Sequence, residues 1–181
     1  MASFSERMIG AARLDVNTYE EVEADETAMG QAITVVVLSS LAAGIGSFRV
    51  LGLSGLLWAT IAALVGWFIW AAVTFFVGTR ILPEPQTRSD VGELLRTIGF
   101  SASPGILRIL QIIPLIGWLI SFAASIWMLV AMVVAVRQAL DYRSTGRAVG
   151  VCLIGFVINL VVMFVFASVF GIGGALFGGF R

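Results

Sequence analysis

The stretch Gly105–Leu140, GILRILQIIPLIGWLISFAASIWMLVAMVVAVRQAL, decides how this chain folds. Only Arg108 and Arg137 in it are charged. As one straight α-helix its 36 residues would run ~54 Å, against a bilayer hydrocarbon core of ~30 Å. Pro114 removes a helical N–H and clashes with the preceding turn, and Gly117 follows it. The stretch therefore reads as a helical hairpin folded at Pro114–Gly117, and the membrane topology turns on that fold.

Composition says the same of the whole chain. Of 181 residues, 59% are hydrophobic and 12% charged, where soluble domains carry about 25% charged residues. Net charge is zero, but seven of the eleven acids (Glu6, Asp15, Glu20, Glu21, Glu23, Asp25, Glu26) precede residue 27. Every basic residue is arginine and none cluster, which leaves no nucleic-acid footprint. There is no histidine, the commonest metal ligand and general base. The single Cys152 lies in an apolar run and reads as a buried, inert thiol. The first residues are acidic and amphipathic, unlike the basic start of a secretory signal.

Five spans follow outward from the hairpin. The expected boundaries are about 28–48, 53–77, 98–113, 117–136 and 149–170. The third begins near Ile98 because Pro104–Ile113 alone is too short; even 98–113 gives only ~24 Å. Ahead of them, residues 1–27 form an acidic cytoplasmic segment of one or two short amphipathic helices at the interface. Thr18 and Glu21 have the spacing of a capping box for the second of these. Glu20, Glu21, Glu23, Asp25 and Glu26 make a solvated acidic collar; they lack the alternating ligands and turn glycine of a calcium loop. Between spans two and three, Pro83 and Pro85 bracket Glu84, and Ser89 is placed to cap a helix beginning SDVGELL. A glycine-rich tail, GIGGALFGGF, ends at Arg181.

Arginine placement sets the orientation. With five spans, Arg7, Arg13, Arg80, Arg88, Arg96, Arg137, Arg143 and Arg147 share one side, and Arg49 and Arg181 the other. A single central span would split them six to four. The eight-to-two split favours the hairpin, with a cytoplasmic N-terminus, an outer C-terminus and a multi-pass chain in the cell membrane.

Chemistry-bearing residues are sparse. Arg108 sits inside the third span, where a charge costs roughly 2.5–3.5 kcal/mol on insertion scales. It can snorkel to headgroups, bond carbonyls freed by Pro104 or Pro114, or contact an anion, a lipid phosphate or a partner. Gly99-Phe-Ser101-Ala-Ser103 lacks the last glycine of a nucleophile elbow, and no span holds paired aspartates. No catalytic or metal constellation emerges, so no enzymatic activity and no cofactor are expected. Small residues four apart (Ser39 and Ala43, Ala62 and Gly66, Gly171 and Ala175, Gly174 and Gly178) suit close helix packing.

The order of these elements resembles a known family. Gly99-Phe100-x-x-x-Pro104, then Ile113-Pro114-x-x-Gly117-Trp118, together with Leu14–Ala32 and Trp127–Val149, resemble the bacterial branch of the Yip-domain family of Ypt/Rab-interacting membrane proteins. The resemblance implies five spans and a cytosolic N-terminus. Eukaryotic relatives carry an Asp-Leu-aromatic-Gly-Pro element before the spans; this chain does not, so binding of a Rab-type GTPase is not implied. The expectation is an all-α polytopic bundle acting as a non-enzymatic scaffold, membrane organiser or accessory subunit, in contact with the bilayer and with other subunits or a second copy. Candidate lipid or partner contacts are Arg108, Glu20, Glu21, Glu23, Arg88 and Arg96; Pro104, Pro114 and Gly117 are the hinges. The alternative is a small transporter or channel at the Pro104–Pro114 break, with Arg108, Gln111 or Asn159 lining it.

Overall fold

Local capping chemistry sets most element boundaries. The computed structural model describes residues 2–46 and 48–169, all of its regular structure helical. Helix α1 (Phe4–Ala12) opens on a capping box: Ser3 accepts from the Glu6 amide while the Glu6 carboxylate accepts from the Ser3 amide. Helix α2 (Val16–Ala24) starts two residues before the expected Thr18. Asp15 is its cap, accepting from the Asn17 amide, and the Thr18 hydroxyl donates to that same aspartate. Leu14, in the left-handed region at φ 63°, reverses the chain between α1 and α2.

A short 3-10 turn (Glu26–Ala28) leads into α3 (Met29–Gly46). Helix α4 (Phe48–Phe76) returns and ends in a wide π-turn over Val77–Ile81. Arg49, expected between the spans 28–48 and 53–77, belongs by backbone to α4. Helix α5 (Val91–Ser101) carries its own capping box, Asp90 with Glu93, in place of the expected Ser89 cap. Helix α6 (Gly117–Ala139) and helix α7 (Thr145–Val169) complete the chain.

The expected third span is not one α-helix. Helix α5 stops at Ser101, and Ser103–Ile112 continues as a 3-10 arm with Pro104 in its first turn. Pro104 has no N–H for the Phe100 carbonyl, so the Ser103 hydroxyl bonds it instead (2.7 Å), and Ser101 does the same for Ile98. A 3-10 helix rises ~2.0 Å per residue, so ten residues reach ~20 Å where an α-helix gives ~15 Å. The arm that looked too short is lengthened by its winding. It reverses at Ile113–Gly117, with Leu115 in the left-handed region at φ 70°, and packs back along α6 and α3.

Among the described residues, three helical stretches are long and apolar enough to cross a membrane: Glu26–Ile45, Leu56–Ile81 and Gly117–Ala139. A shorter apolar stretch, Thr145–Val161, lies in α7. Large apolar side chains are exposed along these helices, among them Trp58, Phe68, Trp118, Phe122 and Phe156, which suits contact with lipid rather than water.

Helix α5 is the hub, buried throughout from Leu94 to Ser101. Small residues allow its contacts: a Cβ added at Gly99 would lie 2.8 Å from the Ala32 Cβ and 3.3 Å from α3 backbone. Of the small-residue pairs, Ser39 is buried, whereas Gly66 meets open space. The pairs after Gly171, the glycine-rich tail and Arg181 lie outside the described residues.

Candidate functional site

The charged N-terminal segment forms a docked cap rather than a solvated collar. Arg7, only 2% exposed, organises it. Its guanidinium lies 2.8 Å from Glu21, 2.7 Å from Asp25 and 3.1 Å from the Gln31 side-chain oxygen on α3. The hydrogen bonds from Arg7 and the Ala2 amide hold the Glu21 carboxyl below its usual range; those from Thr27 and Arg7 do the same for Asp25. Tyr19 is fully buried and donates to the Ala11 carbonyl, and the Trp127 indole donates to that of Ala12. These bonds join α1, α2, α3 and α6.

Arg96 completes the clamp from below. It is 6% exposed and donates to the Val22 and Glu23 carbonyls at the C-terminal end of α2. A cation there satisfies orphan carbonyls and complements the helix dipole.

The clamp borders a cleft of about 500 Å³ lined by Glu20, Glu23, Glu93 and Asp141 together with Arg137 and Arg143. Glu20 accepts from Gln138 at 3.1 Å, tying the α2 side of the cleft to α6. Burial, then the charges of Glu93, Asp141 and Glu20, push the Glu23 carboxyl up to about 8. Beside the cleft, Glu84 accepts from the Arg143 amide (3.0 Å) and pairs with Arg147 at 3.6 Å. The Tyr142 hydroxyl lies within 2.9 Å of the Gly78 and Leu82 carbonyls, sharing its proton across the π-turn. A group able to hold a metal ion is absent among the described residues.

A second cavity, about 280 Å³, lies between α3, α4, α5 and α6, with Arg108 in its wall. Ser39, Ser101, Trp67, Trp70 and Met128 also line it. The Trp67 indole donates to the Leu95 carbonyl. Gln111 and Asn159, expected beside Arg108 in a polar path, are not among the lining residues.

The structure thus separates the sequence candidates. Glu20 and Glu23 share the cleft, Glu21 and Arg96 hold the cap over it, Arg88 is exposed on the connection before α5, and Arg108 borders the other cavity. Pro104 opens the 3-10 arm, Pro114 lies in the turn, and Gly117 starts α6. Sequence reasoning missed Arg7, Glu93 and Asp141 as partners of the acidic segment. The spacing of Arg7 and Ala11, four apart on one helical face, was the only local signal that Arg7 faces inward.

No curated protein and no solved structure matches the chain. A model described as the Yip1 domain matches residues 16–167, from α2 through nearly all of α7. A helical bundle with apolar, membrane-type helices over that whole length fits the match, and the chain belongs to the Yip1 domain family.

Proposed function

We propose that this protein is a non-enzymatic scaffold or accessory subunit of a larger membrane assembly, and that the acid-lined cleft beneath the N-terminal cap is its contact surface. The carrying observation is the cap itself. Two charged helices are locked to the bundle by Arg7 and Arg96 while Glu20, Glu93 and Asp141 face one cleft beside Glu23, whose pKa of about 8 leaves it largely protonated at neutral pH. Such a surface favours a partner segment bearing lysine or arginine. Exposed Arg88, on the neighbouring connection, faces anionic headgroups.

The topology that goes with this reading has five spans in the cell membrane, an N-terminus in the cytoplasm and a C-terminus outside. It is supported by contacts that gather the arginine-rich segments at one end: Gln138 with Glu20, Gln86 with the Asp141 carbonyl, and Arg143 with Glu84. Single cysteines in a Cys152→Ser background test it. A cysteine at Arg88 should label only in opened cells, and one at Leu115, which is 91% exposed in the hairpin turn, from outside. Labelling of both from the same side overturns the topology. Purification in mild detergent tests the scaffold role: a partner or second copy should elute with the chain, and a chain that always elutes alone and monomeric argues against it.

A further inference from the structure

Arg108 is charged, half-buried and unpaired. Among the described residues it makes no hydrogen bond or ion pair, and its Nε is buried without an acceptor. No carboxylate lines its cavity. The acids of α5 and the loops, Asp90, Glu93 and Asp141, lie at the capped end of the bundle. The Ile98 and Phe100 carbonyls at the helix break accept from the Ser101 and Ser103 hydroxyls and not from Arg108. The side chain shares its cavity with Ile98, Ser101 and Ala102, which precede it in the chain. It therefore runs back into the bundle, away from the Ile113–Gly117 turn that a snorkelling arginine would follow to the headgroups.

Trp70, which also lines the cavity, repeats the deficit: its indole Nε1 is buried and has no acceptor. Arginine and tryptophan side chains only donate. Two unsatisfied donors beside a cavity that serines but no carboxylate line call for an anionic acceptor, an oxyanion. The rest of the wall mixes apolar Val36, Ala63, Ile98, Met128 and Met132 with Ser39, Ser40 and Ser101, and the methionines are adaptable to an alkyl chain. A lipid, unlike a bare inorganic ion, also covers the apolar part of this wall.

We propose that the cavity binds the oxyanion of a lipid, a carboxylate or a phosphate, on Arg108 and Trp70, with the acyl chain passing along Met128 and Met132. At about 280 Å³ the cavity takes the anionic group and the first methylenes, and the rest of the tail leaves between helices. The proposal is independent of the cleft: one cavity can be filled and the other inert.

The test is native mass spectrometry of the full chain in mild detergent, titrated with oleate, with phosphatidylglycerol and with inorganic phosphate. The wild-type chain should take up one oleate or one phosphatidylglycerol, the preferred lipid identifying the oxyanion. Arg108→Gln should weaken that binding at least about tenfold, as loss of a charge-assisted bond does. Trp70→Phe, which keeps the ring and removes the donor, should weaken it about threefold, and Gln111→Ala, on the same arm but outside the cavity wall, should leave it unchanged. Undiminished binding in both Arg108→Gln and Trp70→Phe, no lipid bound by the wild-type chain, or equal occupancy by inorganic phosphate alone, overturns the proposal.

Discussion

Arg96, in the middle of α5, donates to the backbone carbonyl of Glu23 at the end of α2, 73 residues earlier in the chain. One buried side chain thereby joins the charged N-terminal cap to the hub of the bundle. Arg96→Met keeps the apolar stem and removes the donors, leaving the Val22 and Glu23 carbonyls without partners. Hydrogen bonds from charged donors contribute ~1.5–3 kcal/mol each, so a loss of about 3 kcal/mol is expected. Limited proteolysis should show α1 and α2 cleaved well before the rest; equal protection of wild type and variant would show that the bond does not hold the cap.

Arg7 predicts a related but smaller effect. Breaking a buried ion pair costs ~3–5 kcal/mol, and Glu21 is 35% exposed at its side chain, which lowers the expectation for Arg7→Leu to about 2 kcal/mol. Glu21 and Asp25 have depressed carboxyl pKa values, so their contribution is present above their ordinary values and is lost as pH falls through the folded ones. Thermal unfolding followed into acid should show this loss in the wild type and a flatter profile in Arg7→Leu.

Glu23 titrates in the opposite sense. It binds its proton more tightly in the fold than in the unfolded chain, so the fold loses stability as pH rises from its ordinary 4.5 to about 8. Glu20, Glu93 and Asp141 disfavour its charge and Arg96 favours it; Arg137 and Arg143 border the same cleft. Glu23→Gln should raise the unfolding temperature above pH 8 and change it little near pH 4.5. Equal shifts at both pH values would contradict the environment described for this carboxyl.

Gly117 predicts a steric outcome. A Cβ there would lie 2.7 Å from the carbonyl carbon of Gln111 and closer still to its oxygen, backbone that cannot move without opening the hairpin. Gly117→Ala should reduce folded yield more than Gly30→Ala, since a Cβ at Gly30 meets nothing. Overpacking costs typically ~1–3 kcal/mol. Similar yields for the two variants would mean that the 3-10 arm and α6 are less closely apposed at the turn.

The apolar helices were legible because hydropathy and length act within one segment: the α6 start at Gly117 and the turn at Pro114 follow from proline and glycine chemistry alone. The 3-10 winding was not legible. It depends on which hydroxyls accept the duty of the missing Pro104 N–H, and Ser101 and Ser103 carry no local mark of that role. The cap was half legible. Acidic residues before the first span suggested a solvated face, but the partners that draw them inward, Arg7 and Arg96, are 14 to 73 residues away in sequence. Periodicity reports which side of a helix is apolar and is silent on which buried arginine a carboxylate will find. Arg108 was conspicuous as a charge in an apolar run, and its lack of a partner could emerge only with the surrounding helices in place.

The scaffold reading is tested most directly by crosslinking in the native membrane from inside the cleft. A photoreactive residue at Gln138, in the cleft wall beside Glu20, should yield a discrete adduct to a second protein or a second copy. That adduct should fall sharply when Glu20 and Glu93 are both replaced by lysine. The same reporter at Phe122, on the exposed apolar face of α6, should not give it. Adducts from Gln138 that are absent, or unchanged by the lysine pair, would contradict the claim that the cleft is a contact surface.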